Sequence, residues 1–119
     1  ENMTIYEVSK NYRIPLKYLN EYENWCLYQA DKRVKGEWQY DEQDIKLLSM
    51  VMTLYDVGFK KDEVEAFMRL LPEKDSTKKQ RLGMLNRQRE KTLAEIHLKE
   101  TQISRLDYLR YEIQPAKEE

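Results

Sequence analysis

The side chains able to do covalent or metal chemistry are few. Cys26 is the sole cysteine and His97 the sole histidine. One thiol closes no intramolecular disulfide and builds no metal cage. His97 stands in a charged run without a second His or a Cys near it, so no metal site and no cofactor are expected. The chain carries no glycine-rich phosphate loop, no Ser/His/Asp set and no Cys/His set. An enzyme needs at least one such constellation, so no catalytic residue is assigned and a non-enzymatic protein is expected. The acidic group Asp41, Glu42 and Asp44 reads as capping and dipole complementarity at a helix start, not as a catalytic pair. What the sequence does offer is cationic: Lys32, Arg33 and Lys35 fall within four positions. On residue type alone they suit either a solvated loop or a phosphate-contacting one.

Position along the chain says which elements would carry these groups. Thr4 followed by Glu7 fits a capping box, and Ile5 and Val8 share a helical face. A short helix is expected from Ile5 to Asn11, then a tight turn through Tyr12, Arg13, Ile14 and Pro15. Pro15 suits the first turn of a second helix, because its missing N–H is not needed there. That helix runs to Tyr22 or Asn24, with Leu16, Leu19 and Tyr22 on one face. Two short helices joined by about four residues is the helix-turn-helix plan. Residues 25–40 lose helical periodicity, and Val34, Gly36, Trp38 and Tyr40 suggest a two-stranded hairpin, a wing. Asp41 with Asp44 caps a third helix whose expected buried stripe is Ile45, Leu48, Met52 and Tyr55, widened by Leu47, Val51 and Leu54. Gly58 ends it. A fourth helix starts at Lys60, Lys61 and Asp62, carries Val64, Phe67, Met68 and Leu71, and stops at Pro72.

From Thr77 to Gln114 there is no proline, and Gly83 is the only glycine. Leu82, Leu85, Leu93, Ile96, Ile103, Leu106 and Ile113 make a narrow apolar stripe between many charges. Such a helix, roughly 57 Å long at ~1.5 Å per residue, buries little by itself and asks for a second chain. A coiled-coil homodimer is expected, with those seven residues at its interface. Pro115 ends the helix, and the residues after it are expected to be disordered.

Composition agrees with a helical protein. Charged residues make up 36% of the 119, hydrophobic residues 40%, and Gly and Pro number only three each. The formal net charge is -1, so nucleic-acid binding would require locally concentrated positive charge. No apolar run reaches the ~20 residues of a membrane span. No signal peptide is visible, Met3 reads as a natural start, and a single thiol suits a reducing cytoplasm.

The order of these elements resembles the MerR family of transcription regulators from Met3 to Gln114. Thr4-Ile5-Tyr6-Glu7-Val8-Ser9-Lys10 is similar to the family's opening. Ile14-Pro15-Leu16-Lys17-Tyr18-Leu19-Asn20-Glu21-Tyr22-Glu23 is similar to its second helix, which contains L-R-Y-Y-E. Gly36-Glu37-Trp38-Gln39-Tyr40 with Asp44-Ile45 is similar to its wing and third helix, and Gly58-Phe59 to the close of that helix. The resemblance implies a mainly α fold: a winged helix-turn-helix DNA-binding domain over 3–71 with a small β-hairpin wing and a helix pair, then an antiparallel coiled-coil dimerisation helix over 77–114. It implies a homodimer on palindromic, double-stranded promoter DNA, distorted so that RNA polymerase engages it. Residues implied to touch DNA are Lys17, Tyr18, Tyr22 and Arg13, with Lys32, Arg33 and Lys35 on the wing and Lys10 nearby; Tyr22 is expected both to pack under the wing and to reach phosphate. Asn20, Glu21, Glu37 and Trp38 replace family residues that grip the backbone. That departure motivates a second reading, a protein-interaction adaptor of the same fold that has lost DNA. Trp25 and Trp38 read as anchoring rather than base-stacking groups. Cys26, at a family glycine position, is expected to be a small buried apolar side chain.

Overall fold

The structure, a computed structural model, describes residues 2–27 and 32–115. Its elements are α1 (Ile5–Tyr12), α2 (Leu16–Trp25), β1 (Arg33–Val34), β2 (Glu37–Trp38), α3 (Glu42–Asp56), α4 (Lys61–Leu70), a 3-10 turn (Leu71–Glu73) and α5 (Lys78–Ile113). The chain divides into two units, 1–81 and 82–119. The disorder expected after Pro115 concerns residues 116–119, which lie outside the described residues.

The first unit is built on local signals that work as their chemistry requires. Glu7 N–H donates to the Thr4 hydroxyl at 3.2 Å, and Thr4 N–H donates to the Glu7 carboxylate at 2.8 Å. These bonds satisfy two of the donors a helix start leaves orphaned. Arg13 turns α1 into α2 from the left-handed region at φ 56°. The Ser9 hydroxyl donates to Ile14 O at 2.7 Å and holds that turn. β1 and β2 pair antiparallel, Arg33 opposite Trp38 and Val34 opposite Glu37. Lys35 and Gly36 between them both have positive φ, 52° and 84°, as the favoured two-residue hairpin turn requires. Met3 and Tyr40 exchange backbone hydrogen bonds of 2.8 and 2.9 Å, which tie the chain's start to the foot of the hairpin.

Asp41 and Asp44 form a reciprocal capping box on α3. The buried stripe of α3 is Asp44, Leu48, Val51 and Leu54; Ile45, Leu47, Met52 and Tyr55 are only half-buried. The stripe is therefore rotated from the one expected, because Asp44 itself faces inward to meet Tyr22. At the other end, Phe59 N–H reaches back to Leu54 O at 3.0 Å through Gly58 at φ 101°. α4 buries Val64, Phe67 and Met68. Arg69 on its last turn donates to Trp25 O at 3.1 Å and so fastens α4 to the end of α2. The Thr77 hydroxyl, placed just before α5, contacts Leu70 O at 2.9 Å and Glu73 O at 2.8 Å.

The second unit is helical as far as Ile113 and buries none of its side chains within its own chain. All seven stripe residues are exposed, from Leu85 at 40% to Ile113 at 83%. Leu98, Tyr108, Leu109 and Tyr111 are exposed with them. Among the described residues no helix is long and apolar enough to cross a membrane.

Candidate nucleic-acid interface

α1, the Arg13 turn and α2 form a helix-turn-helix, and the β1–β2 hairpin follows it as a wing. The side chains of α2 sort by helical angle. Leu19, Tyr22, Glu23 and Trp25 are buried, while Leu16, Lys17, Asn20 and Asn24 are exposed. Tyr18 and Glu21 sit on the border. The Tyr18 ring packs against Tyr55 of α3 with centroids 4.7 Å apart, and the Lys17 ammonium lies 5.5 Å from the Tyr18 ring centre. The Tyr55 hydroxyl donates to the Glu21 carboxylate at 2.7 Å.

Two further tyrosine–carboxylate pairs join α2 to the wing and to α3. The Tyr22 hydroxyl donates to Asp44 at 2.5 Å, and the Tyr40 hydroxyl donates to Glu23 at 2.5 Å. Tyr22 is 3% exposed and Tyr40 0%. Burial first, and the carboxylate partner second, push both phenols well above their ordinary value. Tyr55 is raised by the same two causes, with Glu21 as its partner. Lys32 bridges Asp44 and Asp41, the latter at 2.9 Å. Burial works to lower the Lys32 ammonium, but its bonds to Asp44 and Asp41 together outweigh that and raise it. Asp41 is held below the usual carboxylate range by the backbone N–H of Asp44 and by Lys32. Arg33 stands 3.7 Å from Glu23, with its guanidinium 5.5 Å from the centre of the Trp38 ring.

The residues singled out in the sequence thus fall into two groups. Arg13, Lys17 and Lys35 are exposed, with Lys10 on α1 exposed as well; Tyr18 is half-buried beside Lys17. Lys32 and Arg33 face carboxylates of their own chain, and Tyr22 is a core residue whose hydroxyl hydrogen is committed to Asp44. The carboxylate partners Glu21, Glu23 and Asp44 were not recognised in the sequence as partners; Asp44 was legible only as a cap. Trp25 and Trp38 are buried at 6% and 5%, as anchors. Trp38 packs against Tyr22 and Tyr40, with centroids 6.1 and 6.2 Å apart. Cys26 corrects the expectation of burial, for it is exposed. It ends α2 at φ 46° in the left-handed region, where helices commonly use glycine as the residue past the last turn. Its thiol turns back to Glu23 O at 3.3 Å.

Comparison with known proteins places this architecture. Residues 3–71 match the sequence model of the MerR HTH family of regulatory proteins. The chain belongs to this family. No curated protein matches its sequence. Among solved structures it resembles a MerR family transcriptional regulator from Bacillus thuringiensis, at 20% identity and TM-score 0.64 over 94% of this chain and 99% of that one. It also resembles HiNmlR, a MerR family regulator lacking the sensor domain and bound to promoter DNA, at 18% identity and TM-score 0.67 over 93% of this chain and 89% of that one. At these identities the likeness concerns the fold, which is mainly α with a winged helix-turn-helix and a long C-terminal helix. Both neighbours are regulators rather than enzymes. Among the described residues of this MerR-type chain no group of His, Cys, Asp and Glu is placed to hold a metal ion.

Proposed function

We propose that the chain is a cytoplasmic MerR-type transcription regulator that binds palindromic, double-stranded promoter DNA as a homodimer. The observation that carries the reading is the sorting of charge on the winged helix-turn-helix. Lys10, Arg13, Lys17 and Lys35 face solvent, whereas Glu21, Glu23 and Asp44 are held by tyrosine hydroxyls of the same unit, and Glu37 on the wing is the carboxylate that stays exposed beside Lys35. A carboxylate engaged in this way repels phosphate less than a free one, and the exposed cations supply the counterion-releasing contacts that DNA affinity rests on. Lys17, Tyr18 and Arg13 act from the helix-turn-helix and Lys35 from the wing tip. Lys32, Arg33 and Tyr22 act chiefly by fixing the wing against α2 and α3. The promoter-bound neighbour supports the same use of this head.

The domains of this reading are the winged head, 3–71, and the dimerisation helix, 77–114. Leu82, Leu85, Ile96, Ile103, Leu106 and Ile113 fall on the a and d positions of a single heptad frame, with Leu93 on a flanking e position, and all seven are exposed in the single chain. A narrow a/d seam, here broken by Arg89, Thr92, Lys99 and Arg110 at the remaining a and d positions, suits pairing with a second chain. The antiparallel arrangement sets two heads apart on one site. Distortion of the promoter for RNA polymerase is the mechanism carried over from the family.

The test is binding of the purified protein to its own upstream DNA and to a random duplex, titrated with salt. Tight, salt-sensitive and sequence-selective binding supports the regulator. Absence of binding at low salt refutes it and favours the adaptor reading, which the engagement of Lys32 by Asp41 and Asp44 would then explain.

A further inference from the structure

The outward face of α2 holds a second kind of chemistry beside the charge of Lys17. At 100° per residue, Lys17, Asn20 and Asn24 fall within roughly 60° of arc, and all three are exposed. The buried positions Leu19, Tyr22, Glu23 and Trp25 occupy the opposite arc. The Asn20 and Asn24 carboxamides make no hydrogen bond with any described residue. Each therefore presents a free donor and a free acceptor side by side on the helix surface. Glu21, on the border of this face, accepts from the Tyr55 hydroxyl at 2.7 Å.

The geometry points to Asn20 as a base-reading residue that selects an adenine in each half-site, and this rests on the DNA-binding reading given above. A carboxamide matches the adenine edge in the major groove: its oxygen accepts from N6–H and its N–H donates to N7. Asn20 lies in the middle of α2, about one turn behind the N-terminal residues that a recognition helix presents to base edges, and shares the outward arc with Lys17. Asn24 lies in the last turn, next to the Cys26 cap, and is the less suited of the two. Lys17 stands one turn before Asn20, a rise of ~4.5 Å against ~3.4 Å per base pair. The adenine accordingly neighbours the pair Lys17 reaches, where a lysine favours the O6/N7 edge of guanine. The carboxamide of Asn20 is neutral and releases no counterion, so its contribution goes to selectivity rather than to generic affinity.

The experiment selects bound duplexes from a random-sequence pool with the full chain, with Asn20→Ala and with Asn20→Asp. It then measures competition by the selected duplex carrying 7-deazaadenine, which lacks the N7 acceptor, at each A·T pair of the half-site. The wild type is expected to prefer adenine at one position by roughly 5- to 150-fold per half-site and to lose several-fold affinity when that adenine becomes 7-deazaadenine. Asn20→Ala loses the preference at that position only and becomes indifferent to the modified base. Asn20→Asp shifts the preference toward cytosine, whose N4–H donates to a carboxylate. Undiminished adenine preference in Asn20→Ala, or wild-type indifference to 7-deazaadenine at every A·T pair, overturns the inference while DNA binding stands. A wild-type selection that enriches no sequence overturns the DNA-binding reading itself, and the inference with it.

Discussion

Asp44 joins α2, α3 and the wing, and its removal tests whether that junction holds the head together. It is 3% exposed and accepts from the Tyr22 hydroxyl at 2.5 Å, from Asp41 N–H at 3.1 Å and from the Lys32 ammonium. Asp44→Ala leaves a buried phenol unpaired, at about 1–3 kcal/mol. It also removes one partner of a largely buried cation, which costs about 3–5 kcal/mol when nothing else compensates. Here Lys32 keeps Asp41 at 2.9 Å and its side chain is 17% exposed, so the second cost shrinks. A total of about 3–4 kcal/mol is expected, a large share of the ~5–15 kcal/mol that holds a domain folded. Tyr22→Phe alone costs about 1 kcal/mol, because Asp44 keeps its other two partners. In the double variant no hydroxyl is orphaned, so its cost falls about 1–2 kcal/mol short of the sum. The assay is urea denaturation followed by far-UV circular dichroism at one fixed chain concentration, since the proposed dimer would make stability depend on concentration. A loss below about 1 kcal/mol in Asp44→Ala, or additivity of the two substitutions within ~0.5 kcal/mol, refutes the account of Asp44 as the junction.

Other outcomes follow from the same geometry. Ile96→Asp and Ile103→Asp each place a charge in the a/d seam of α5, where burial against a second chain is strongly unfavourable. Both variants are expected to run as monomers in light scattering, and unchanged mass in both sinks the coiled-coil dimer. Alkali should destabilise the head. Tyr22 and Tyr40 have raised pKa values in the folded state against 10.0 for the free group, so above pH 10 the unfolded chain loses phenolic protons that the folded chain keeps. Their stabilisation is complete below pH 10 and declines as pH rises past it, by at most about 1.4 kcal/mol per pH unit for each tyrosine. Lys32, also raised, adds in the same direction. Urea midpoints measured at about pH 9 and about pH 11 should fall in the wild type and fall less in Tyr40→Phe; a wild-type midpoint that does not move contradicts the burial of these hydroxyls.

The parts of the fold that were legible in the sequence are those written locally. Thr4 with Glu7 and Asp41 with Asp44 mark helix starts because a cap and its reciprocal partner stand three residues apart. Gly58 and Pro72 mark helix ends because one permits a positive φ and the other lacks an N–H. The left-handed Cys26 left no such mark, since cysteine has no preference for that conformation. The tyrosine–carboxylate pairs were out of reach for a different reason. Tyr40–Glu23, Tyr22–Asp44 and Tyr55–Glu21 join positions 17, 22 and 34 residues apart, and only the folded packing of α2 on α3 and the wing brings them together. The inward turn of Asp44 belongs to the same packing, and it is why the apolar periodicity of α3 pointed to a neighbouring stripe.

That arrangement also explains how residues on the outer arc of α2 can vary while the fold is kept. Leu19, Tyr22, Glu23 and Trp25 determine whether α2 packs, and they lie on one arc of the helix; Lys17, Asn20 and Asn24 lie exposed on the other, where Lys17 reaches only the half-buried Tyr18 ring. Exchanging a residue on the outer arc costs little stability, because no buried area or hydrogen bond depends on it. Glu21, on the border, is accommodated by the Tyr55 hydroxyl, and Trp38 is absorbed into the aromatic cluster with Tyr22 and Tyr40. On the DNA-binding reading, the positive charge left for phosphate is concentrated on Lys10, Arg13, Lys17 and Lys35. Generic affinity then rests on few cations, and discrimination between sequences must come from the uncharged edge of α2 and from the deformability of the DNA.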